Sequence, residues 1–258
     1  MRAKKSYGQH FLHDENICRK IAEAILQLQD YDVLVEVGPG QGAITKYLIH
    51  TDRPFYVIES DRDMIAYLNL HLDELSPDQI IAEDFLKVNL EDRFPDQQIA
   101  LVGNFPYNIS SQIVVRTIQY RSRVRHMLGM FQKEMADRIL ADHGTKAYGS
   151  LSVQTAAYFE KYPVLKVSAG AFNPPPKVQS KVIGMQRKAE DPDIDDERIF
   201  RMVVRAAFGQ RRKMLRNSLK SIPGAEILKE DEIFTKRPEQ LSLQDFVIIA
   251  NTITKHQS

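Results

Sequence analysis

Four short, mainly apolar runs constrain the fold of this 258-residue chain more than any other feature. They cover residues 32–37, 55–58, 79–82 and 99–102. Runs of this length, rich in branched residues and bounded by breakers, predict buried strands of a parallel sheet. Stretches with helical spacing, such as residues 110–120, lie between them or after them. The chain is therefore predicted to be an α/β protein, which places its ligands beyond the carboxyl ends of the strands.

The turn after the first run is rich in glycine. Gly38 and Gly40 let a backbone approach a ligand closely, and residues 43–48 predict a helix whose N-terminus would offer free N–H groups. Together with Ala43 these glycines also satisfy the dinucleotide pattern G-x-G-x-x-G/A. A nicotinamide-dependent oxidoreductase is therefore compatible with this turn.

Acidic residues follow the second and third runs. Glu59 stands about 20 residues beyond the glycine turn, where an acid can accept hydrogen bonds from both hydroxyls of a ribose. Asp84 is followed by the aromatic Phe85, a pair that suits the amino group and the ring of an adenine. Each acid alone is equally typical of a helix cap after a strand. The pair indicates a nucleoside-containing cofactor only in combination with the glycine turn.

The fourth run ends in Gly103 and leads into Asn104, Phe105, Pro106 and Tyr107. These residue types suit a planar base that carries an exocyclic amine. The Asn104 carboxamide oxygen can accept one N–H, and since Pro106 has no N–H, a neighbouring carbonyl is left to accept the second. Tyr107 offers an aromatic face for stacking. A simple turn beside a core aromatic would be the favoured interpretation if the tetrapeptide stood alone.

Two further segments are candidates for ligand contact. Residues 4–12 form a basic, polar lead-in that is too broken by glycine to begin a strand, and Asp14 is predicted to cap the helix that follows. Residues 174–176 are consecutive prolines, which stiffen their loop and could hold Phe172 against a ligand. The alternative for Phe172 is a place in the hydrophobic core.

The sign of the charge changes abruptly near the C-terminus. Residues 189–197 are mostly acidic and predict a linker, whereas residues 198–220 carry eight basic side chains and no acidic one. Most of these recur at helical spacing, with Gly209 predicted to separate two helices. A helical face of one sign is typical of phosphate-backbone binding, although a solvated face is the commoner interpretation. Domains are predicted at 1–188 and 198–258, the second of them all-helical.

Composition excludes several classes of protein. The net charge of +1 means that nucleic-acid binding can be argued only from the distribution of charge. No apolar run approaches the length of a membrane span, and the basic N-terminus leads into polar sequence rather than a signal segment. Cys18 is the only cysteine, and the histidines lack metal-ligand spacing. We expect a cytoplasmic protein that has no metal site and is not an obligate dimer.

In combination, these motifs resemble those of the ribosomal RNA adenine N6,N6-dimethyltransferases, the kasugamycin-sensitivity methyltransferase family. The matching positions, in order, are 8–12, 36–42, 59, 83–84, 104–107, 172–180 and 210–213. The resemblance implies a seven-stranded Rossmann-like sheet that binds S-adenosylmethionine, with a small helical C-terminal domain. It also implies dimethylation of two adjacent adenines in a hairpin loop near the 3′ end of small-subunit (16S) rRNA, on the pre-30S subunit, by a protein expected to be monomeric.

The resemblance assigns roles to individual residues. Implied cofactor contacts are Gln9, His10, Leu12, Gly38, Gly40, Glu59, Asp84, Phe85 and Asn104. Implied contacts to the target base are Asn104, Phe105, Pro106, Tyr107 and Phe172. The predicted RNA-binding residues of the basic stretch are Arg205, Arg211, Arg212, Lys213 and Arg216. His10 and Phe105 stand where the family more often has Asn and Leu, but an imidazole nitrogen can still bond and Phe105 is still apolar.

Three alternatives differ in what they leave unexplained. Antibiotic-resistance enzymes that methylate large-subunit rRNA share most of the N-terminal motifs, but residues 174–178 and 210–213 favour the small-subunit enzymes. A non-catalytic ribosome assembly factor would have no need of the intact tetrapeptide at 104–107. A nicotinamide-dependent oxidoreductase fits the glycine turn and leaves both the tetrapeptide and the basic stretch without a role.

Overall fold

The computed structural model describes residues 10–257, and the chain divides into two compact units. The first comprises Met1–Ala136 and Lys161–Arg187, and the second comprises Asp137–Glu160 and Lys188–Ser258. The chain therefore enters the second unit twice, whereas the sequence predicted a single C-terminal domain at 198–258 behind a linker at 189–197. The difference arises because residues 137–160 pack with the C-terminal helices without any change of composition that marks the boundary.

Nine strands occur among residues 10–257. They are β1 (Phe11–Leu12), β2 (Val33–Val37), β3 (Phe55–Ile58), β4 (Ile80–Ile81), β5 (Ile99–Asn104), β6 (Val124–Gln132), β7 (Phe159–Val167), β8 (Phe172–Asn173) and β9 (Ser180–Arg187). Seven form one sheet in the order β4-β3-β2-β5-β6-β9-β7. Neighbours from β4 to β6 are parallel, and β9 is antiparallel to β6. The predicted seven-stranded α/β fold is confirmed.

Ten α-helices accompany the strands in the described part of the chain. They are α1 (Glu15–Leu26), α2 (Thr45–Leu48), α3 (Arg62–His71), α4 (Leu90–Arg93), α5 (Ser110–Gln119), α6 (Lys133–Leu140), α7 (Ser150–Tyr158), α8 (Glu197–Gly209), α9 (Leu215–Ser218) and α10 (Leu243–Gln257). Asp14 caps α1 as predicted, its carboxylate accepting the N–H groups of Asn16 and Ile17. The helix predicted at 43–48 begins only at Thr45, because the glycine turn continues to residue 44. No helix of residues 10–257 is long and apolar enough to cross a membrane.

The strand order places the candidate site between β2 and β5. From β2 the chain proceeds to β3 and β4 on one side, and it returns to the other side for β5 and β6. In an open α/β sheet the crevice at such a reversal lies at the carboxyl ends of the strands. Glu36 pairs in register with Val102, so the residues that follow the two strands emerge at the same edge. All five residues of β2 are buried, as expected for a strand with helices on both faces.

The lead-in segment differs from its prediction, because Phe11 and Leu12 do form a short strand. Phe11 pairs with Asn173 and Leu12 with Phe172, antiparallel. The backbone N–H of His13 extends the pairing by donating to the Ala171 carbonyl at 2.9 Å. The expectation of no strand here was wrong, since burial of Leu12 at 5% exposure brings its backbone beside a partner that lies far along the chain.

The ring of Phe105 anchors the chain where β5 ends. It is 1% exposed and packs edge-to-face on Phe131, with ring centroids 5.2 Å apart. Two glycines make room for it: a Cβ on Gly103 would lie 2.8 Å from the Phe105 ring and 2.5 Å from the Val37 carbonyl oxygen, and a Cβ on Gly129 would overlap the same ring. The phenylalanine at position 105 therefore occupies a space that exists because Gly103 and Gly129 have no side chains.

The amino end of β6 holds a buried histidine. Because β6 begins at Val124, His126 lies within the strand. Its Nε2–H donates to the Gln29 carbonyl at 2.7 Å, and its Nδ1 is buried without a partner among the described residues. Burial lowers the pKa of His126, an effect that the Gln29 bond opposes and the charge of Arg125 increases.

The second unit is built from helices around a small aromatic core. The ring of Phe208 lies 5.6 Å from Tyr148 and 5.7 Å from Phe246, measured between centroids. Gly209 ends α8, as the sequence predicted. The final helix, α10, runs from Leu243 to Gln257. Tyr148 precedes α7, so this core explains why residues 137–160 belong to the second unit.

We expect Gly129→Ala to lower the free energy of unfolding by about 1–3 kcal/mol, since the added methyl group overlaps the buried Phe105 ring. Chemical denaturation of the purified variant measures this loss. Gly170→Ala is the matched control in the same unit, because a Cβ there meets nothing closer than 4.0 Å. Equal stabilities of the two variants would contradict the assigned packing.

We expect acid to destabilise the protein through His126. Its pKa in the folded protein lies below the ordinary value of 6.5, so the unfolded chain takes up the proton first and stability falls as the pH decreases below about 6.5. His126→Gln keeps an N–H donor and removes this contribution, which amounts to at most about 1.4 kcal/mol per pH unit. Urea denaturation between pH 7.5 and 5 compares this variant with the exposed control His143→Gln. The free energy of unfolding of the control should depend on pH as that of the unchanged protein does.

Candidate active site

A cavity of about 290 Å³ opens at the carboxyl ends of the parallel strands. Its wall is formed by the lead-in segment and by the turns that follow β2, β3, β4 and β5. The predicted site residues that line it are His10, Leu12, Gly38, Gly40, Glu59, Asp84, Phe85, Asn104, Phe105, Pro106 and Tyr107. The structure thus brings together residues that lie up to 97 positions apart in the chain. Gln9 lies outside the described residues.

The glycine turn and Glu59 form one connected wall. Gly40 has a φ of +55°, and a Cβ there would lie 3.4 Å from the Phe11 ring. Glu59 Oε1 accepts the N–H groups of Ser60 and Asp61 at 2.8 and 2.9 Å, and Oε2 accepts the Gly40 N–H at 3.4 Å. Burial raises the pKa of Glu59, and these three N–H groups oppose the increase. Glu59 is therefore a fixed acceptor, with the longer and weaker bond on Oε2.

Asp84 occupies the turn after β4 as a second fixed acceptor. Its Oδ1 accepts the Leu86 N–H at 3.0 Å, which locks the carboxylate in a local turn. The Oδ2 atom has no protein partner among the described residues. Phe85 is 4% exposed and contributes to an apolar wall beside the acid. An acceptor flanked by apolar surface suits an adenine edge.

Asn104 is oriented by the backbone of the lead-in segment. Its Nδ2 donates to the His10 carbonyl oxygen at 3.1 Å, so Oδ1 is the atom left to accept a bond from a ligand. The His10 ring is held in turn, because Nδ1–H donates to the Pro174 carbonyl at 2.8 Å. The same ring lies 5.4 Å from that of Tyr107. His10 thereby links the proline loop to the carboxamide.

Tyr107 is held through its hydroxyl group. Its hydroxyl hydrogen-bonds the Ser180 hydroxyl at 2.8 Å, and burial raises its pKa, so the phenol is neutral at physiological pH. Ser180 lies in the motif at 172–180, but the sequence did not predict this contact. Phe105 also lines the cavity, although its side chain is 1% exposed and its ring lies against Gly103 and Gly129.

Phe172 does not line the cavity. Its ring is 2% exposed and belongs to the hydrophobic core with Leu12, Cys18 and Ile21. Stacking of Phe172 on a ligand therefore remains a prediction that requires the ring to leave the core. The aromatic residues that line the cavity are instead His10, Phe11, Phe85, Phe105 and Tyr107.

Glu36 is a cavity residue that the sequence reasoning did not select. It is 1% exposed, and the Thr45 hydroxyl donates to its Oε2 at 2.6 Å. Burial raises its pKa to about 8, the Thr45 bond opposes this, and the nearby Glu59 adds to it. The available signal was a charged residue inside an otherwise apolar buried strand, which is rarely tolerated without a role.

The predicted RNA-binding residues lie at the surface of the second unit. Arg205, Arg212, Lys213 and Arg216 are exposed, and Arg211 is half-buried with a bond to the Thr145 carbonyl at 3.2 Å. No carboxylate lies within 4 Å of these five side chains in the described part of the chain. Arg198 and Arg201, in contrast, pair with Asp196 and Glu197 at 4.0 and 3.1 Å. The unneutralised charge is therefore concentrated over residues 205–216.

A metal-binding cluster is not found among residues 10–257: no three His, Cys, Asp or Glu side chains converge there.

Comparison with known proteins agrees with these features. The family model described as "Ribosomal RNA adenine dimethylase" matches residues 1–255. Ribosomal RNA small subunit methyltransferase A of Flavobacterium johnsoniae is 47% identical over 253 residues, which cover 98% of this chain and 96% of the relative. The protein of the same name from Phocaeicola vulgatus is 43% identical over 254 residues, covering 98% and 90%.

Two solved structures share the architecture. A dimethyladenosine transferase from Plasmodium falciparum superposes with a TM-score of 0.81 at 24% identity, covering 96% of this chain and 98% of that one. The 23S rRNA methyltransferase ErmE superposes with a TM-score of 0.67 at 26% identity, covering 93% and 99%. The similarity to the Plasmodium falciparum structure supports the fold alone, because the sequence identity is only 24%.

Proposed function

The chain belongs to the ribosomal RNA adenine dimethylase family, and from this premise we propose that it dimethylates N6 of two adjacent adenines of small-subunit (16S) rRNA with S-adenosylmethionine. The observation that supports this most directly is the orientation of Asn104 in the cavity. Its carboxamide nitrogen is occupied by the His10 carbonyl, so its oxygen is presented as an acceptor for an amine.

The hydrogen-bond acceptors that line the cavity suit S-adenosylmethionine. Glu59 Oε2 is placed to accept ribose hydroxyls, and Asp84 beside Phe85 is placed to accept the adenine amino group. The backbone at Gly38 and Gly40 lies at the same wall and permits close approach. The cavity volume of about 290 Å³ lies near the lower end of the usual range for small-molecule sites. When bound, S-adenosylmethionine supplies a methyl group on a positively charged sulfur.

The chain's part in the chemistry is to prepare the amine. The N6 lone pair of adenine is delocalised into the ring, which makes it a poor nucleophile. Asn104 Oδ1 accepts one N–H and a carbonyl of Phe105 or Pro106 accepts the other, which favours a pyramidal nitrogen with its lone pair directed outward. Catalysis then rests on position and on fixed dipoles, and no side chain is required as a base of tuned pKa.

The target adenine leaves its RNA stack to reach this edge of the sheet. Tyr107 lines the cavity with a ring whose hydroxyl is fixed by Ser180, so it offers a rigid stacking face. Stacking by Phe172 on the second face is part of the proposal only for a state in which its ring has left the core.

Affinity for RNA is assigned to the exposed basic residues of the second unit. Arg205, Arg212, Lys213 and Arg216 are exposed and have no carboxylate partner among residues 10–257, so their charges are available to phosphates. The natural substrate in this proposal is the pre-30S subunit rather than naked RNA, and the protein acts as a cytoplasmic monomer. The small-subunit assignment rests on the relatives at 43–47% identity, against 26% for the large-subunit enzyme.

The decisive experiment incubates the protein and labelled S-adenosylmethionine with small subunits that lack adenine dimethylation, and in parallel with large subunits. Digestion and mass spectrometry then locate the modified nucleosides. Dimethyladenosine at two adjacent positions of small-subunit rRNA supports the proposal. Transfer to large-subunit rRNA alone would reassign the substrate. Absence of transfer despite measurable cofactor binding would favour the non-catalytic assembly factor.

We expect Asn104→Ala to reduce the rate of methyl transfer at least about 100-fold, because loss of one fixed group at a reacting atom typically costs this much. Cofactor binding, followed by calorimetry, should change far less. Asn69→Ala on the exposed face of α3 is the control and should transfer normally. Full activity of the Asn104 variant would refute its role.

We expect Arg212→Glu combined with Lys213→Glu to weaken binding to the small subunit and to reduce the dependence of affinity on salt. Each lost phosphate contact lowers the slope of log K against log salt by roughly 0.7–0.9. Filter binding at several salt concentrations measures the slope. Lys229→Glu, an exposed lysine of the same unit outside the basic stretch, should leave it unchanged. An unchanged slope in the double variant would mean that residues 212 and 213 belong to an ordinary solvated surface and do not contact phosphates.

A further inference from the structure

Glu36 is a charged residue in an unusual place. It lies near the carboxyl end of β2, is 1% exposed, and lines the cavity behind the glycine turn. The hydroxyl of Thr45 donates to Oε2 at 2.6 Å, and no described residue bonds Oε1. A carboxylate buried with a single hydrogen bond is strongly disfavoured unless a cation neutralises it.

Residues 10–257 supply no such cation to the cavity. No Lys or Arg of this part of the chain is among the residues that line it. From α2, Lys46 is directed to Glu15 at 2.6 Å and is 41% exposed. From β5 the residue that lines the cavity is Asn104, whose carboxamide is neutral, and His10 of the lead-in segment is held by the Pro174 carbonyl.

The remaining charges around the cavity are negative. Glu59 faces Glu36 from the end of β3, and Glu83 and Asp84 line the wall after β4. Glu59 differs from Glu36 because three backbone N–H groups stabilise its carboxylate. Asp84 likewise accepts a backbone N–H and is only half-buried. Glu36 is therefore almost completely buried with a single hydroxyl donor, whereas Glu59 has three backbone donors.

We propose that Glu36 binds the positive charge of S-adenosylmethionine, and that it is protonated in the free protein and gives up its proton when the cofactor enters. The neutral carboxyl group loses the proton from Oε1 to solvent, and the resulting carboxylate is neutralised by the cofactor's cationic group. One proton is released for each cofactor bound, and no other bond changes. The inference rests on the proposed use of S-adenosylmethionine.

The role of Thr45 follows from the same geometry. Its hydroxyl occupies Oε2, which leaves Oε1 for the proton in the free protein and for the cation in the complex. Donation to the carboxylate also favours the ionised form. Thr45 is thus a positioning residue for Glu36 rather than a contact of the cofactor.

The test is titration calorimetry with S-adenosylmethionine at pH 6.5 in buffers of different ionisation enthalpy. The dependence of the observed heat on the buffer gives the number of protons released. With a pKa of about 8 for Glu36 in the free protein, release of about one proton is expected, since the cofactor's own amino group is already protonated at this pH. Apparent affinity should also fall about tenfold per pH unit below 8.

Glu36→Gln supplies the decisive comparison, because it retains the size and neutrality of the protonated side chain. We expect this variant to bind the cofactor more weakly at pH 8.5, without proton release at any pH. Equal proton release by the variant, or binding by the unchanged protein without release, would overturn the proposal. Failure of the unchanged protein to bind the cofactor at all would instead count against the proposed function.

Two related ligands separate the possible cationic groups. S-adenosylhomocysteine keeps the ammonium group but not the sulfonium, and methylthioadenosine has neither. Proton release with both S-adenosylmethionine and S-adenosylhomocysteine assigns the contact to the ammonium, and release with the former alone assigns it to the sulfonium; both results support the proposal. Release of the same size with methylthioadenosine would contradict it.

Two further measurements guard against a merely misfolded variant. The pKa of Glu36 is raised above its value of 4.5, so its contribution to stability is lost as the pH rises towards 8. Glu36→Gln should therefore have a higher Tm than the unchanged protein at pH 8.5 and a similar one at pH 5. Thr45→Val should weaken cofactor binding at pH 7 in the Glu36 protein and have no further effect in Glu36→Gln.

Discussion

The burial of the Phe105 ring between Gly103 and Gly129 is the packing constraint on which the candidate site depends. A ring in this cleft fixes where β5 ends, and with it the position of the Asn104 carboxamide and of Pro106. The parallel register of β2 with β5 then brings the glycine turn to the same edge. The site is therefore precise because a rigid strand end presents it, and not because a loop folds over it.

The cavity combines acids whose environments differ. Backbone N–H groups stabilise the carboxylates of Glu59 and Asp84, whereas Glu36 has one hydroxyl donor and complete burial. Burial raises the pKa of both glutamates, but three backbone N–H groups oppose the increase at Glu59 and only the Thr45 hydroxyl opposes it at Glu36. An excess of negative charge in a closed space favours a cationic ligand. It also makes the affinity for that ligand sensitive to pH.

Much of the fold could be predicted from local patterns. The strand at 55–58 has the bounds that the sequence indicated, and Asp14 caps α1. Most residues implied by the family resemblance do line one cavity. The errors share a cause: the pairing of β1 with β8 and the membership of residues 137–160 depend on partners that are distant in the chain. Local periodicity carries no information about such partners.

The sequence by itself determined the alternation of strands and helices, the order of the motifs, and the chemistry that their side chains can offer. Only the tertiary structure decided which of those side chains reach the cavity. It placed the Phe172 ring in the core, bonded the Asn104 side-chain nitrogen to the His10 carbonyl, and buried Glu36 in a cavity that no Lys or Arg of residues 10–257 lines. The physical reason is that hydrophobic patterning is a property of neighbouring residues, whereas burial and desolvation are produced by every element packed around a group.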